Sequence, residues 1–290
     1  MADSSYIVKD TPSKGRGMFA TRNIKRGECI IAESPLLYVR HNSSMTGNTA
    51  AVEALSKKNK KYFYALHNAF ADELSQDAGI IRTNALPLGP ESLDGAVYRV
   101  ISRINHSCAP NANQNWNART NKEYIYAIKD IPEDSEILIT YTSLMMTRAG
   151  RQKDLQEKFR FTCRCEVCDV ESSEEYDAAV RRIDKCSDLI QSCMNSRDPR
   201  KSIGYVREIL ALLDKIGGRG KTPYYDEAFQ ICAQYSNYTQ AKEWADLFLE
   251  SHRMEEGEDD EVYEEYLAYS QNPRSFERAG IAGYVNLDGA

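Results

Sequence analysis

The spacing of apolar residues changes along the chain, and each change predicts a different kind of element. Near the start, Glu28-Cys29-Ile30-Ile31-Ala32 and Leu36-Leu37-Tyr38-Val39 flank Pro35, and Lys14-Gly15-Arg16-Gly17 breaks the chain ahead of them. Short apolar runs between turn residues predict strands. From Asn48 to about Gln76 the period lengthens, with Phe63, Leu66, Phe70 and Leu74 three or four apart on one helical stripe. After Gly79 the strand pattern returns. Tyr124-Ile125-Tyr126-Ala127-Ile128 and Ile137-Leu138-Ile139-Thr140-Tyr141 flank the turn segment Pro132-Glu133-Asp134-Ser135, and are expected to pair as a hairpin. Beyond Asp169 helical spacing dominates: Ile203, Val206, Leu210 and Leu213, then Tyr225, Phe229, Cys232 and Tyr235, then Trp244, Leu247 and Phe248. Packed helical hairpins are predicted there, parted by Gly217-Gly218-Arg219-Gly220 and by an acidic run over 255–261 that reads as an exposed turn or helix start.

A chain of 290 residues exceeds what one compact core usually organises, so at least two packed units are expected. Hydrophobic residues at 42% and charged residues at 28% exclude collagen-like, largely disordered and coiled-coil classes. No apolar run approaches the roughly 18 residues of a membrane span, and Met1-Ala2-Asp3-Ser4-Ser5 opens no signal-peptide pattern. A soluble intracellular protein, nuclear or cytoplasmic, without membrane association and monomeric, is the expectation. The net charge of −6 is unevenly spread: residues 1–170 carry 23 Lys and Arg against 19 Asp and Glu, whereas 171–290 carry 14 against 24. That balance argues against direct nucleic-acid binding and suits encounter with a basic protein, although a solvated acidic face accounts for most of it.

Eight cysteines are too few for a disulfide scaffold in a chain of this size. Three of them, in Cys163-Arg164-Cys165-Glu166-Val167-Cys168, lie within reach of one tetrahedral zinc ion, and the short spacing limits the entropy of gathering them. The fourth ligand comes from elsewhere: Cys108, amid the polar residues of Asn105-His106-Ser107-Cys108, is favoured, with strand-like Cys29 competing. Cys186 and Cys193, in a helical stretch, need only be buried small hydrophobes. Taken alone, His106 and Ser107 suggest a base or nucleophile no more than they suggest a polar turn. A two-glycine turn at Gly15 and Gly17 is likewise common and lacks a complete dinucleotide fingerprint.

The order of these features says more. Ser13-Lys14-Gly15-Arg16-Gly17-Met18-Phe19-Ala20 comes first, then Ile101-Ser102-Arg103-Ile104-Asn105-His106-Ser107-Cys108-Ala109-Pro110-Asn111. Ala127-Ile128-Lys129-Asp130-Ile131 through Glu136-Ile137-Leu138-Ile139-Thr140-Tyr141 follows, and Phe161-x-Cys163-x-Cys165-x-x-Cys168 closes the series. Four motifs in this sequence resemble the SET-domain protein-lysine methyltransferases. With a helical insertion and a helical tail, the chain is similar to the SET-and-MYND branch and its fungal-type SET relatives, well over residues 6–170 and loosely beyond. Residues 41–81 contain no cysteine, so the MYND zinc finger of that branch is expected to be absent. Asp134-Ser135-Glu136 also stands where the family usually has Gly-Glu-Glu, which puts Asp134 at a position where glycine tolerates positive φ.

The resemblance implies an α+β protein: a mostly-β SET fold over 1–40 and 82–146, a helical insertion over 41–81, a post-SET zinc knuckle over 147–170 and an α-helical C-terminal domain over 171–290. It implies S-adenosylmethionine bound on one face and a substrate lysine entering a narrow channel from the other. Lys14 and Arg16 would flank the cofactor's amino-acid part, and Asn84, Ser102, Asn105 and His106 would give it polar contacts. Tyr141 would line the methyl-transfer channel as the catalytic residue and touch the cofactor, with Phe161 as a further wall, and zinc on Cys108, Cys163, Cys165 and Cys168 would fold that wall into place. The partner implied is a protein presenting a lysine, histone or non-histone. Two other readings stand beside this one: a catalytically weak SET module acting as a protein-interaction adaptor, and a zinc-dependent nucleic-acid binder, which the charge balance disfavours.

Overall fold

The computed structural model describes residues 4–12, 14–41, 45–89, 92–287 and 289; Met1, Ala2, Asp3 and Ser13, which belong to readings above, lie outside the described residues. The protein is α+β and divides into two compact units. One comprises Met1–Leu144, Ala149–Cys168 and Met254–Glu256; the other comprises Met145–Arg148, Asp169–Arg253 and Gly257–Ala290. No helix among the described residues is long and apolar enough to cross a membrane.

The first unit is built from short strands. In chain order these are β1 (Tyr6–Thr11), β2 (Gly15–Ala20), β3 (Cys29–Glu33), β4 (Leu37–Val39), β5 (Leu86–Pro87), β6 (Gly95–Val97), β7 (Asn105–His106), β8 (Ala112–Asn117), β9 (Lys122–Ala127) and β10 (Glu136–Ile139). They form three small sheets, ordered β1-β2-β10-β7, β3-β9-β8 and β4-β6-β5. Alternation in β9 turns Glu123, Ile125 and Ala127 to the buried side. Their core neighbours include Met18, Ile24, Ile101, Ile104 and Ile137, each at most 1% exposed.

The hairpin expected between the 124–128 and 137–141 runs does not form. β9 pairs antiparallel with β3 and β8, whereas β10 pairs antiparallel with β2 and parallel with β7. The connecting segment is held elsewhere: Ile131 bridges Ile24, and Asp134 N–H donates to the Ala20 carbonyl at 3.0 Å. The turn therefore feeds β10 into the first sheet. Asp134 itself has φ 64°, the left-handed conformation expected where the family carries glycine.

The helical insertion is also more broken than its stripe suggests. It consists of α1 (Met45–Glu53), α2 (Lys57–Phe63) and α3 (Gln76–Asn84), so helix continues through Gly79, where strands were expected to resume, and past position 81. Residues 64–75 are turns because side chains claim their backbone groups: Asn84 Nδ2 donates to the His67 carbonyl at 2.7 Å, and Ala69 N–H donates to Thr83 Oγ1 at 3.0 Å. Phe63, Leu66 and Phe70 are buried as the pattern demanded, but Phe63 from the end of α2 and the other two from the turns after it rather than all from one helix. Helix α4 (Arg148–Phe159) precedes the cysteine segment.

The second unit is helical: α5 (Val170–Asn195), α6 (Pro199–Lys215), α7 (Thr222–Gln234), α8 (Tyr238–Glu255) and α9 (Glu261–Gln271). Asp198 caps α6 by accepting from Lys201 N–H, with Pro199 in the first turn, where its missing N–H costs nothing. The acidic run ends in a second cap, Asp260, which accepts from Tyr263 N–H at 2.8 Å to start α9. Ile203, Val206, Leu213, Phe229, Cys186 and Cys232 fill the core, while Leu247 is 39% exposed and falls outside the expected stripe.

Candidate active site

Strand pairing brings the distant motifs together. β2 lies beside β10 with Met18 opposite Ile137, and β10 lies beside β7 with Leu138 opposite Asn105 and Ile139 opposite His106. Asn105 Nδ2 donates to Glu136 Oε1 at 2.7 Å and to the Arg16 carbonyl at 3.3 Å; Glu136 also takes Lys14 Nζ at 3.0 Å. One carboxylate thus ties the glycine loop to the Asn-His strand. The approach is tight: a Cβ on Gly17 would sit 2.6 Å from Glu136 Oε1 and 2.8 Å from Asn105 Nδ2, so any larger residue would have to displace this carboxylate–amide pair. Gly15, at φ 69°, meets nothing within 4 Å and is there for its backbone conformation.

His106 and Tyr141 form the centre of this arrangement. Tyr141 N–H donates to His106 Nδ1 at 3.0 Å, and the two rings are 5.3 Å apart. Because Nδ1 accepts, the imidazole hydrogen belongs on Nε2, which lies 3.3 Å from Cys108 Sγ. The Tyr141 hydroxyl donates to the Ile104 carbonyl, and its ring packs at 4.8 Å against Phe159. Burial, with Glu136 adding repulsion, pushes the phenol well above its usual range, so it stays a neutral hydroxyl. Phe161 completes the aromatic set, 5.8 Å from His106.

Behind this set, Cys108, Cys163, Cys165 and Cys168 place their sulfurs within 4.8 Å of one another. Zinc–sulfur bonds of about 2.3 Å in a tetrahedron imply sulfur–sulfur edges of about 3.8 Å, which this cluster matches, and Cys168 Sγ is 3.5 Å from Cys108 Sγ. The four can hold one metal ion. Cys29, the competing fourth ligand, is exposed and bonds the Ile31 carbonyl instead, in β3. Tyr141, Phe159, Phe161 and Leu155 share one apolar cluster with the cysteines, so the knuckle is packed against the aromatic walls.

Comparison with known proteins agrees with this geometry. The SET domain family matches residues 15–142. Histone-lysine N-methyltransferase set5 of Schizosaccharomyces pombe is 31% identical over 282 residues, covering 93% of this chain and 85% of that protein. The chain belongs to the SET-domain protein-lysine methyltransferase family. N-lysine methyltransferase SMYD2-B of Danio rerio is 30% identical over 41% of the chain, and protein-lysine N-trimethyltransferase SMYD5 of Gallus gallus is 34% identical over 38%. This chain spans 28% of the length of each of those two proteins.

Asn84 and Ser102, two of the expected cofactor-contacting residues, lie together where α3 ends. Asn84, at the end of α3, spends both amide hydrogens on the His67 and Ile80 carbonyls at 2.7 Å, and Ser102 Oγ donates to the Asn84 carbonyl at 3.0 Å while accepting from Tyr98 N–H. The pair bonds to each other and to backbone rather than joining the Lys14–Glu136–Asn105 network. Several supports of the SET domain escaped the sequence reading. Glu33 accepts from the N–H groups of Arg99, Val100 and Ile101, fixing the turn that leads into β7. On α4, Gln152 makes paired bonds of 2.7 and 3.0 Å with the backbone of Cys163, and fully buried Arg151 donates to the Val167 carbonyl at 3.1 Å, beside Cys168. A buried guanidinium there would offset the net negative charge of four thiolates around a divalent ion.

Proposed function

We propose that this chain transfers methyl groups from S-adenosylmethionine to the ε-amine of lysine in a protein substrate, histone or non-histone, and that its four clustered cysteines hold a structural zinc ion. The observation that carries this reading is the joining of His106 and Tyr141, with Nδ1 of one taking the backbone N–H of the other. Residues suited to the cofactor are at hand. Lys14 and Arg16 precede the close approach at Gly17, Asn105 and His106 lie on β7 beside β10, and the Asn84 side-chain oxygen accepts nothing from the protein, leaving it able to take an amine hydrogen. When bound, S-adenosylmethionine would supply a sulfonium methyl open to displacement by an amine.

The protein's share of the reaction is alignment. The Tyr141 hydroxyl donates its hydrogen bond to the Ile104 carbonyl, so its oxygen lone pairs remain to accept an N–H of the incoming amine and turn the amine's own lone pair along the line of attack. His106 holds the Tyr141 backbone in place, and the Phe159 and Phe161 rings make the surroundings apolar. A lysine ammonium near pKa 10.4 loses solvation against such walls, which favours the neutral nucleophile without a carboxylate base. Cys108, Cys163, Cys165 and Cys168 would hold zinc as a support for this wall rather than as a reactant, since four thiolates would leave no open position on it. The test is incubation of the full chain with isotope-labelled S-adenosylmethionine and whole-cell protein, followed by mass-spectrometric location of the label. Label on lysine side chains is expected; cofactor binding without any lysine labelling would overturn the enzymatic reading in favour of an adaptor.

A further inference from the structure

The helical unit contains a cavity of about 730 Å³, bordered by the end of α5, one face of α7 and the strap after residue 277. That volume lies within the range of about 300–1,000 Å³ usual for ligand sites. The strap is fixed as a wall: Gly280 N–H donates to the Ala233 carbonyl at 3.0 Å, and Ala282 N–H to the Gln234 carbonyl at 3.1 Å. Gln234 and Tyr235, 7% and 5% exposed, line the cavity, yet the Gln234 amide and the Tyr235 hydroxyl have no hydrogen-bond partner in the protein. Neither group is among the fully buried unpaired polar atoms, so each reaches the solvent of the cavity and is free to bond an entering ligand.

The lining also states a charge preference. Asp226 is occupied, accepting from Gln230 Nε2 at 2.8 Å and from the Tyr266 hydroxyl. Glu227, next to it, has no basic partner; burial pushes its carboxyl up, and Asp226 adds repulsion. A cation placed there would relieve both effects. Arg197 and Arg278 border the cavity too, but both are exposed, where solvent screens them, whereas Glu227 is half-buried. The surrounding sequence favours the same sign, with 14 Lys and Arg against 24 Asp and Glu over 171–290.

We propose that this cavity docks a basic residue of an extended polypeptide, with the lysine or arginine head meeting Glu227 and the peptide backbone meeting the Gln234 amide and the Tyr235 hydroxyl. An amide side chain suits a peptide group because it both donates and accepts. None of these residues belongs to the proposed transfer site, so this docking site would recognise sequence away from the methylated lysine. The probe is a fluorescently labelled, end-capped peptide, Ser-Gly-Arg-Gly-Ser, titrated into the full chain and read by anisotropy; arginine keeps it out of a lysine channel. Saturable binding is expected, weakened roughly ten-fold or more when norleucine or glutamate replaces arginine, and equally by Glu227→Gln. A benzophenone-bearing form of the same peptide, used on the unaltered protein, is expected to label residues 226–235 or 278–282. Equal affinity for the three peptides, preference for the glutamate form, indifference to Glu227→Gln, or labelling confined to other segments would each overturn the proposal.

Discussion

The two units assemble their interiors by different routes. In the strand-rich unit, Lys14 meets Glu136 and Asn105 meets the Arg16 carbonyl, so the contacts around the candidate active site join residues far apart in the chain. In the helical unit, α5 packs chiefly on α6, its successor, and apolar stripes three or four residues apart account for the core. The first unit is accordingly sensitive to single polar or metal-binding atoms. The second is sensitive to volume.

The sharpest break of that contrast is Cys165→Ser. Structural zinc sites contribute about 10–16 kcal/mol to folding of their segment, so removing one thiolate should release the metal, open 161–168 to protease and reduce methyl transfer by about 100-fold or more. Elemental analysis and limited proteolysis check this, and full metal content in the mutant would refute the ligand set. Phe229→Ala is the counterpart in the helical unit. Phe229 is fully buried between Tyr266, Tyr269 and Phe276, at 5.4, 5.0 and 5.4 Å, and its loss should cost about 3–5 kcal/mol in urea unfolding while leaving metal content unchanged.

Tyr141→Phe removes an oxygen and little volume. Methyl transfer should fall about 100-fold with cofactor affinity kept within about two-fold, as read by single-turnover kinetics and calorimetry. A gentler effect is expected at Glu123, which burial pushes up to about 8 from 4.5 although the Tyr98 hydroxyl, donating at 3.1 Å, acts the other way. Below about 4.5 the folded and unfolded chains both hold this proton; between 4.5 and 8 only the folded chain does. Stability should therefore fall as pH rises through that window, by up to about 1.4 kcal/mol per pH unit, and level off above it. Urea titrations of the wild type and of Glu123→Gln at pH 6 and pH 8 measure the slope, which the substitution should flatten. Cys29→Ser, the smallest change, should alter neither metal content nor activity.

How much of this was legible in the sequence follows from the reach of each signal. The cysteine set, the Asn105-His106 pair and Tyr141 stood out because unusual residue types occur at short, ordered spacings. Partners chosen by three-dimensional pairing did not. Glu136 was visible only as part of a motif, and nothing local reveals that Lys14 and Asn105 share it. Arg151 and Gln152 sit in a polar stretch ahead of the cysteines where no apolar stripe marks a helix, yet Arg151 and Leu155, one turn apart, are the buried face of α4. The 124–128 and 137–141 runs had the right spacing for a hairpin, but strand propensity does not say which neighbour a strand will take. In the insertion, Asn84 and Thr83 capture backbone groups of residues 67–69, which ends a helix that hydrophobic spacing alone would have continued.

A parallel strand pair cannot be closed by a tight turn, and β7 waits for β10. On the ribosome, Asn105 and His106 emerge well before their strand partners, and Cys108 before any of the other three sulfurs. The nascent polypeptide thus exposes open strand edges during synthesis, whereas α6 and α7 can coil as they appear. A translation product that stops short of Glu136 should behave as an aggregation-prone client of chaperones rather than as a feeble enzyme.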